Sequence, residues 1–143
     1  MIALPAQPHL PGRNGRPDPA LFAPLLQGLA GLDRAGLAQS AAYGAGFEAF
    51  ARGYYWEAHE CWEPVWAALP PASAERALLR GLIQLANAGL KRRMGREAAA
   101  ARILALAGAA LAEAGRRGGD SGMGLAPARL EALRRQVSAE TAL

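Results

Sequence analysis

The sequence predicts an all-α fold: a compact bundle of about six helices around a central apolar helix, preceded by an extended proline-rich N-terminal arm. Three observations carry this reading. Hydrophobic residues make up 52% of the 143-residue chain and charged residues 20%, a balance that buries enough apolar surface to fold. Alanine and leucine dominate while β-branched residues are few, which favours helix over sheet. No segment shows the strict alternation of a half-buried strand. The length is that of one domain.

Five of the ten prolines fall within residues 1–20, interleaved with Gly12 and Gly15. Proline fixes φ and removes an amide donor, so residues 1–18 are expected as an extended arm. Its Ile2, Leu4 and Leu10 give it apolar side chains to lay on the helices. Residues 19–143 then form a single helical domain. A first helix is predicted over 19–29, with Asp18 as N-cap and Pro19 in the first turn. A second is predicted over 37–51, ending at Gly53, and a third over 54–69, closed by Pro70-Pro71. The fourth, over 73–94, has Ser73 as N-cap and Gly95 beyond its end. It is apolar over most of its girth, through Leu78, Leu79, Leu82, Ile83, Leu85 and Leu90, and so belongs at the centre. A fifth is predicted over 96–114, before a Gly-rich stretch, and a sixth over 127–140, with Pro127 in its first turn.

The net charge of +4 raises nucleic acid as a partner. Fifteen of the sixteen basic residues are arginine, spread from Arg13 to Arg135 without a stripe of aromatic partners, which weighs against it. No uninterrupted apolar run approaches the roughly 18 residues of a membrane span. The N-terminus lacks the pattern of a secretion signal. The lone Cys61 has no internal partner for a disulfide, which fits a reducing, cytoplasmic setting.

Chemically capable side chains crowd into residues 53–66, which hold all three tryptophans, Tyr54, Tyr55, the only cysteine and His59. At about 100° per residue, Tyr55, His59, Trp62 and Trp66 share one face of the helix. Glu63 and Trp56 stand at the border of that face, and Glu57 and Glu60 are expected on the solvated side. Glu63, at i+4, is the natural partner for one nitrogen of His59. Pro64 cannot donate to the carbonyl of Glu60. On the fourth helix Arg76, Arg80, Gln84, Asn87 and Lys91 form one polar stripe, and Gln84 and Asn87 are expected to meet His59 and Glu63.

These residues resemble a family known as domain of unknown function 309 (DUF309). The resemblance rests on Phe50, Gly53, Tyr54, Tyr55, Glu57-Ala58-His59-Glu60, Glu63 and Trp66, on the block Gly81 to Ala88, and on the Gly95-Arg96 turn. It covers residues 46–106. His9-Leu10-Pro11-Gly12 and Arg16-Pro17 look like the arm of proteobacterial members. Trp62 and Pro64 depart from the family pattern. The resemblance implies a helical bundle and a soluble bacterial protein; it implies no activity.

The leading functional expectation is a non-catalytic helical module that binds a small molecule or a protein, with a polar pocket lined by His59, Glu63, Trp66 and Gln84. Asn87 is included as a further binding residue and Trp56 as a stacking or partner surface. The alternative is a metal-assisted hydrolase or another acid–base enzyme using His59 and Glu63, as metal ligands or as catalytic pair. His59-Glu60-x-x-Glu63 lacks the second histidine of a zinc-protease helix. The only other histidine, His9, sits on the arm, expected to be flexible. No cofactor is predicted; a divalent metal belongs only to the alternative reading. Cys61 points away from His59 and is read as a core thiol. Self-association is left open.

Overall fold

The computed structural model describes residues 3–143, so Ile2, expected to pack from the arm, lies outside the described residues. Among these residues the fold is all-helical. Its helices are α1 (Ala23–Leu26), α2 (Arg34–Ala38), α3 (Ala41–Ala51), α4 (Tyr55–Ala68), α5 (Ala74–Arg93), α6 (Glu97–Arg116), α7 (Gly119–Gly122) and α8 (Pro127–Ser138). The long helices fall where the sequence places them, and α5 packs against α4, α6, α7 and α8. That many neighbours is what a helix apolar around most of its girth requires.

Two expectations on the N-terminal side are corrected. The segment 19–29 is not one helix. Asp18 caps a 3-10 turn at Pro19–Leu21 through the Ala20 amide, α1 follows, and the chain then breaks at Gly28, which is left-handed at φ 74°. The segment 37–51 is also divided. Asp33 caps α2 through the Gly36 amide, and Ser40 restarts the chain as α3 through the Tyr43 amide. Each short polar side chain satisfies an orphan helix donor and so begins a new helix.

The other boundaries follow the expected chemistry. Ser73 Oγ accepts from the Arg76 amide at 3.1 Å. Gly53 and Gly95 adopt φ of 80° and 77°, and the amides of Tyr54 and Arg96 return to the carbonyls of Ala49 and Lys91. This left-handed exit turns the chain sharply enough to make α3 and α4, and likewise α5 and α6, antiparallel neighbours. The Gly-rich stretch after α6 adds the single turn of α7, which the sequence reading leaves irregular.

Aromatic packing centres on α4. Trp62, Tyr55 and Phe50 are fully buried. Trp62 meets Phe47 edge-on, with ring centroids 5.0 Å apart, and its Nε1 donates to the Tyr43 carbonyl at 3.1 Å. Full burial of such a ring is worth about 2–3 kcal/mol. Close approach of α3 is possible because Gly46 faces this indole. A Cβ there would stand 2.1 Å from Trp62 Nε1. At the other end of α4, the Tyr55 hydroxyl donates to Glu140 at 2.5 Å and accepts from Gln136 at 3.1 Å. Arg93 lies 3.1 Å from Glu140, so the residues after α8 clamp the start of α4 to the end of α5.

One helix, α6, is long and apolar enough to cross a membrane, with a mean hydropathy of 1.4. Its apolarity comes largely from alanine and is interrupted by Arg102 and Glu113. It lies along α5, where Leu111 covers Gly81.

Gly46→Ala is expected to lower unfolding stability by about 1–3 kcal/mol, because the indole must move to admit a methyl group. Gly44→Ala, on the same helix with nothing within 4 Å, is expected to raise it by about 0.5–1 kcal/mol through helix propensity. Denaturant unfolding of the two variants checks the contrast.

Candidate functional site

The two faces of α4 are built differently. One lies along the seam with α5, and the antiparallel course of the helices pairs their residues in opposite order. Trp66 meets Arg76, whose guanidinium carbon lies 4.1 Å from the ring centroid. His59 meets Asn87, with Nδ1 2.9 Å from Oδ1. Tyr55 fills the space left by Gly89, where a Cβ would stand 2.7 Å from its ring.

Along α4 itself, His59 Nε2 is 2.7 Å from Glu63 Oε2, and Asn87 Nδ2 donates to Gln84 Oε1 at 3.4 Å. The expected meeting of His59, Glu63, Asn87 and Gln84 is therefore present as one chain of hydrogen bonds. Both nitrogens of the ring are engaged, one across the seam and one along the helix, which makes His59 a link between α4 and α5. The pair lies at the rim of the seam: the side chain of His59 is 28% exposed and that of Glu63 is 55% exposed.

Of the residues expected around one pocket, Gln84, Glu63 and Trp56 line three different concavities, and His59, Trp66 and Asn87 line none of these. Gln84 faces a shallow depression between α5 and α6, with Arg80, Leu106 and Glu113. Glu63 faces one of about 400 Å³, with Leu26, Glu60, Pro64 and Ala67. Trp56 faces the largest of the three, about 560 Å³, with Arg16, Pro17, Asp18, Pro19, Phe22, Leu26 and Glu60. The last two adjoin through Leu26 and Glu60, which line both. Together they make a groove along the second face of α4, walled by the arm and α1.

This second face holds the main departure from the sequence reading. Glu57, expected in solvent, is fully buried. Its Oε2 accepts the His9 amide at 3.0 Å, while Oε1 has no partner. Burial pushes its carboxyl above the usual range, against the opposing pull of the His9 amide.

His9 is buried too, not on a loose arm. Its ring meets Trp56 edge-on at 4.8 Å, and Phe22 approaches the same indole at 6.3 Å. Asn14 organises the turn around His9. Its Oδ1 accepts from the Leu10 amide at 2.9 Å and its Nδ2 donates to the Pro8 carbonyl at 3.0 Å. That orientation aims the Asn14 oxygen at His9 Nδ1, which also lies 3.1 Å from the Gly15 carbonyl, so Nδ1 carries the proton. The Tyr54 hydroxyl donates to the Pro5 carbonyl at 2.8 Å and holds the arm further back.

Cys61 is completely buried beside Phe22 and Ala45, and burial pushes its thiol up to about 12. A thiol so protonated is a core residue and a poor nucleophile. Among the described residues no group of three or more His, Cys, Asp or Glu side chains is placed to hold a metal ion. His59 and Glu63 supply two donors, and the nearest further polar group is the Asn87 amide.

Residues 43–103 match the family model described as Domain of unknown function (DUF309). The matched segment runs from α3 into α6 and contains Glu57, His59, Glu63, Gln84 and Asn87, whereas the arm, α1 and α8 lie outside it. No curated protein and no solved structure matches the chain.

The raised pKa of Glu57 has a definite sign. Its protonated form suits the fold, so the stabilising contribution is complete below the ordinary carboxyl value of 4.5 and is lost as pH rises through the higher folded value. Glu57→Gln keeps an acceptor for the His9 amide without a charge. Its stability relative to the parent is expected to rise as pH goes from about 4 to 7. Glu57→Ala, which orphans that amide, is expected to lose about 1–3 kcal/mol. Denaturant unfolding across pH distinguishes the two.

Proposed function

We propose that the helical domain and its arm together form a non-catalytic small-molecule-binding module, with the groove along α4 as its binding surface. The observation that carries the reading is the pair of adjoining concavities that share Leu26 and Glu60. The larger, at about 560 Å³, falls in the range of about 300–1,000 Å³ common for small-ligand sites. Its lining joins apolar surface from Trp56, Phe22 and Leu26 to a few charged groups, the usual composition of such sites.

The expected binding residues take distinct parts in this reading. Glu63 belongs to both structures: it lines the groove and is oriented by His59, which Asn87 and Gln84 hold in turn. Trp56 supplies the flat apolar wall, set in place by His9 and Phe22. Trp66, stacked under Arg76, stiffens the seam behind. The engagement of both His59 nitrogens and the buried thiol of Cys61 favour binding over acid–base or nucleophilic chemistry.

A fragment screen by NMR on the full chain tests this. Bound fragments are expected to shift the Trp56 indole N–H and the amides of Glu60, Glu63 and Ala67, and to be recovered unchanged after long incubation. Hits that gather on α6 or α8 instead would sink the groove, and hits converted to product would sink the non-catalytic reading.

A further inference from the structure

Building on the groove as the binding surface, we propose that its Trp56 end takes a zwitterionic α-amino acid with an apolar side chain. Arg34, Arg80, Arg93 and Arg117 each lie within 4 Å of a glutamate. Arg16 and Glu60, which line the same concavity, have no hydrogen bond or ion pair among the described residues. The third charged lining residue, Asp18, already spends one carboxylate oxygen on the Ala20 amide. Among the described residues the exposed Arg16 and the half-buried Glu60 therefore share this cavity without a partner, beside Asp18, whose carboxylate caps an amide but pairs with no cation.

A ligand that completes them carries both signs. The planar guanidinium of Arg16 matches a carboxylate with two parallel hydrogen bonds, and Glu60 matches an ammonium group. A purely anionic ligand would meet the carboxylates of Glu60 and Asp18, and a purely cationic one would forgo the paired hydrogen bonds to Arg16, so a ligand carrying both signs makes the most contacts. The remaining lining is Trp56, Phe22 and Leu26, which suits an aliphatic or aromatic side chain. About 560 Å³ leaves room for the largest of them.

The walls are fixed before any ligand arrives. Trp56 is held by the rings of His9 and Phe22. The strand of arm that leads to Arg16 is held by Glu57 and Asn14. Such preorganisation reduces the ordering cost of binding.

Calorimetric titration of the full chain tests the assignment with three probes: L-phenylalanine, phenethylamine, which lacks the carboxylate, and 3-phenylpropionate, which lacks the amine. L-phenylalanine is expected to bind at least about tenfold more tightly than either. Arg16→Gln is expected to weaken L-phenylalanine about tenfold and leave phenethylamine unchanged. Glu60→Gln is expected to weaken L-phenylalanine similarly and leave 3-phenylpropionate no weaker. Unchanged denaturant midpoints for both variants confirm that the fold is intact.

Equal affinity for the three probes, indifference of L-phenylalanine to both substitutions, or no saturable binding up to about 10 mM would each overturn the assignment. If neutral fragments still shift the Trp56 indole in that event, the amino-acid class falls alone. If none does, the groove falls with it.

Discussion

The contact between the His9 amide and the Glu57 carboxylate joins the two halves of this molecule. On one side is the helical domain, whose α4 packs Trp62, Tyr55 and Val65 into a conventional core. On the other is a proline-rich arm whose own backbone bonds amount to one turn onto the Leu10 carbonyl. A carboxylate buried to zero exposure needs its partners supplied by something, and the arm supplies one of them. The arm in turn gains a fixed register on α4. Trp56, Phe22 and the wall of the groove all take their positions from that register.

The remainder of α4 is organised by the need to enclose a helix from two sides. Its seam with α5 is closed by a series of unlike contacts: Trp66 under Arg76, His59 to Asn87, Tyr55 into the notch at Gly89. Its contact with α3 depends on Gly46 yielding space to Trp62. Its start is pinned by Glu140 and Gln136 from the end of the chain. The polar members of this set face the rim, where water still reaches Glu63, and the apolar members lie below.

Much of this was legible from residue spacing. The i, i+4 relation of His59 and Glu63, and the polar stripe carrying Gln84 and Asn87, are properties of single helices, and their meeting follows once α4 and α5 are antiparallel. Ser73, Gly53 and Gly95 act locally and mark their boundaries reliably. The breaks at Asp33, Ser40 and Gly28 were signalled by the same residue types, but the runs of leucine and alanine around them hide the interruption. Glu57 was not legible. A helical wheel places it opposite His59, which is correct, and assigns that side to water, which is not. Only the long-range placement of the arm, through Asn14, Tyr54 and His9, decides that it is covered, and periodicity contains no term for a neighbour without a period.

The three tryptophans, all on α4, sit in unlike surroundings. Trp62 is sealed in the core against Phe47, Trp66 lies beneath a guanidinium, and Trp56 is clasped by a histidine from the arm. The chain thus carries its own set of optical reporters. A change in the emission of one indole alone would separate loosening of the arm from melting of the core or parting of the seam, with no label attached.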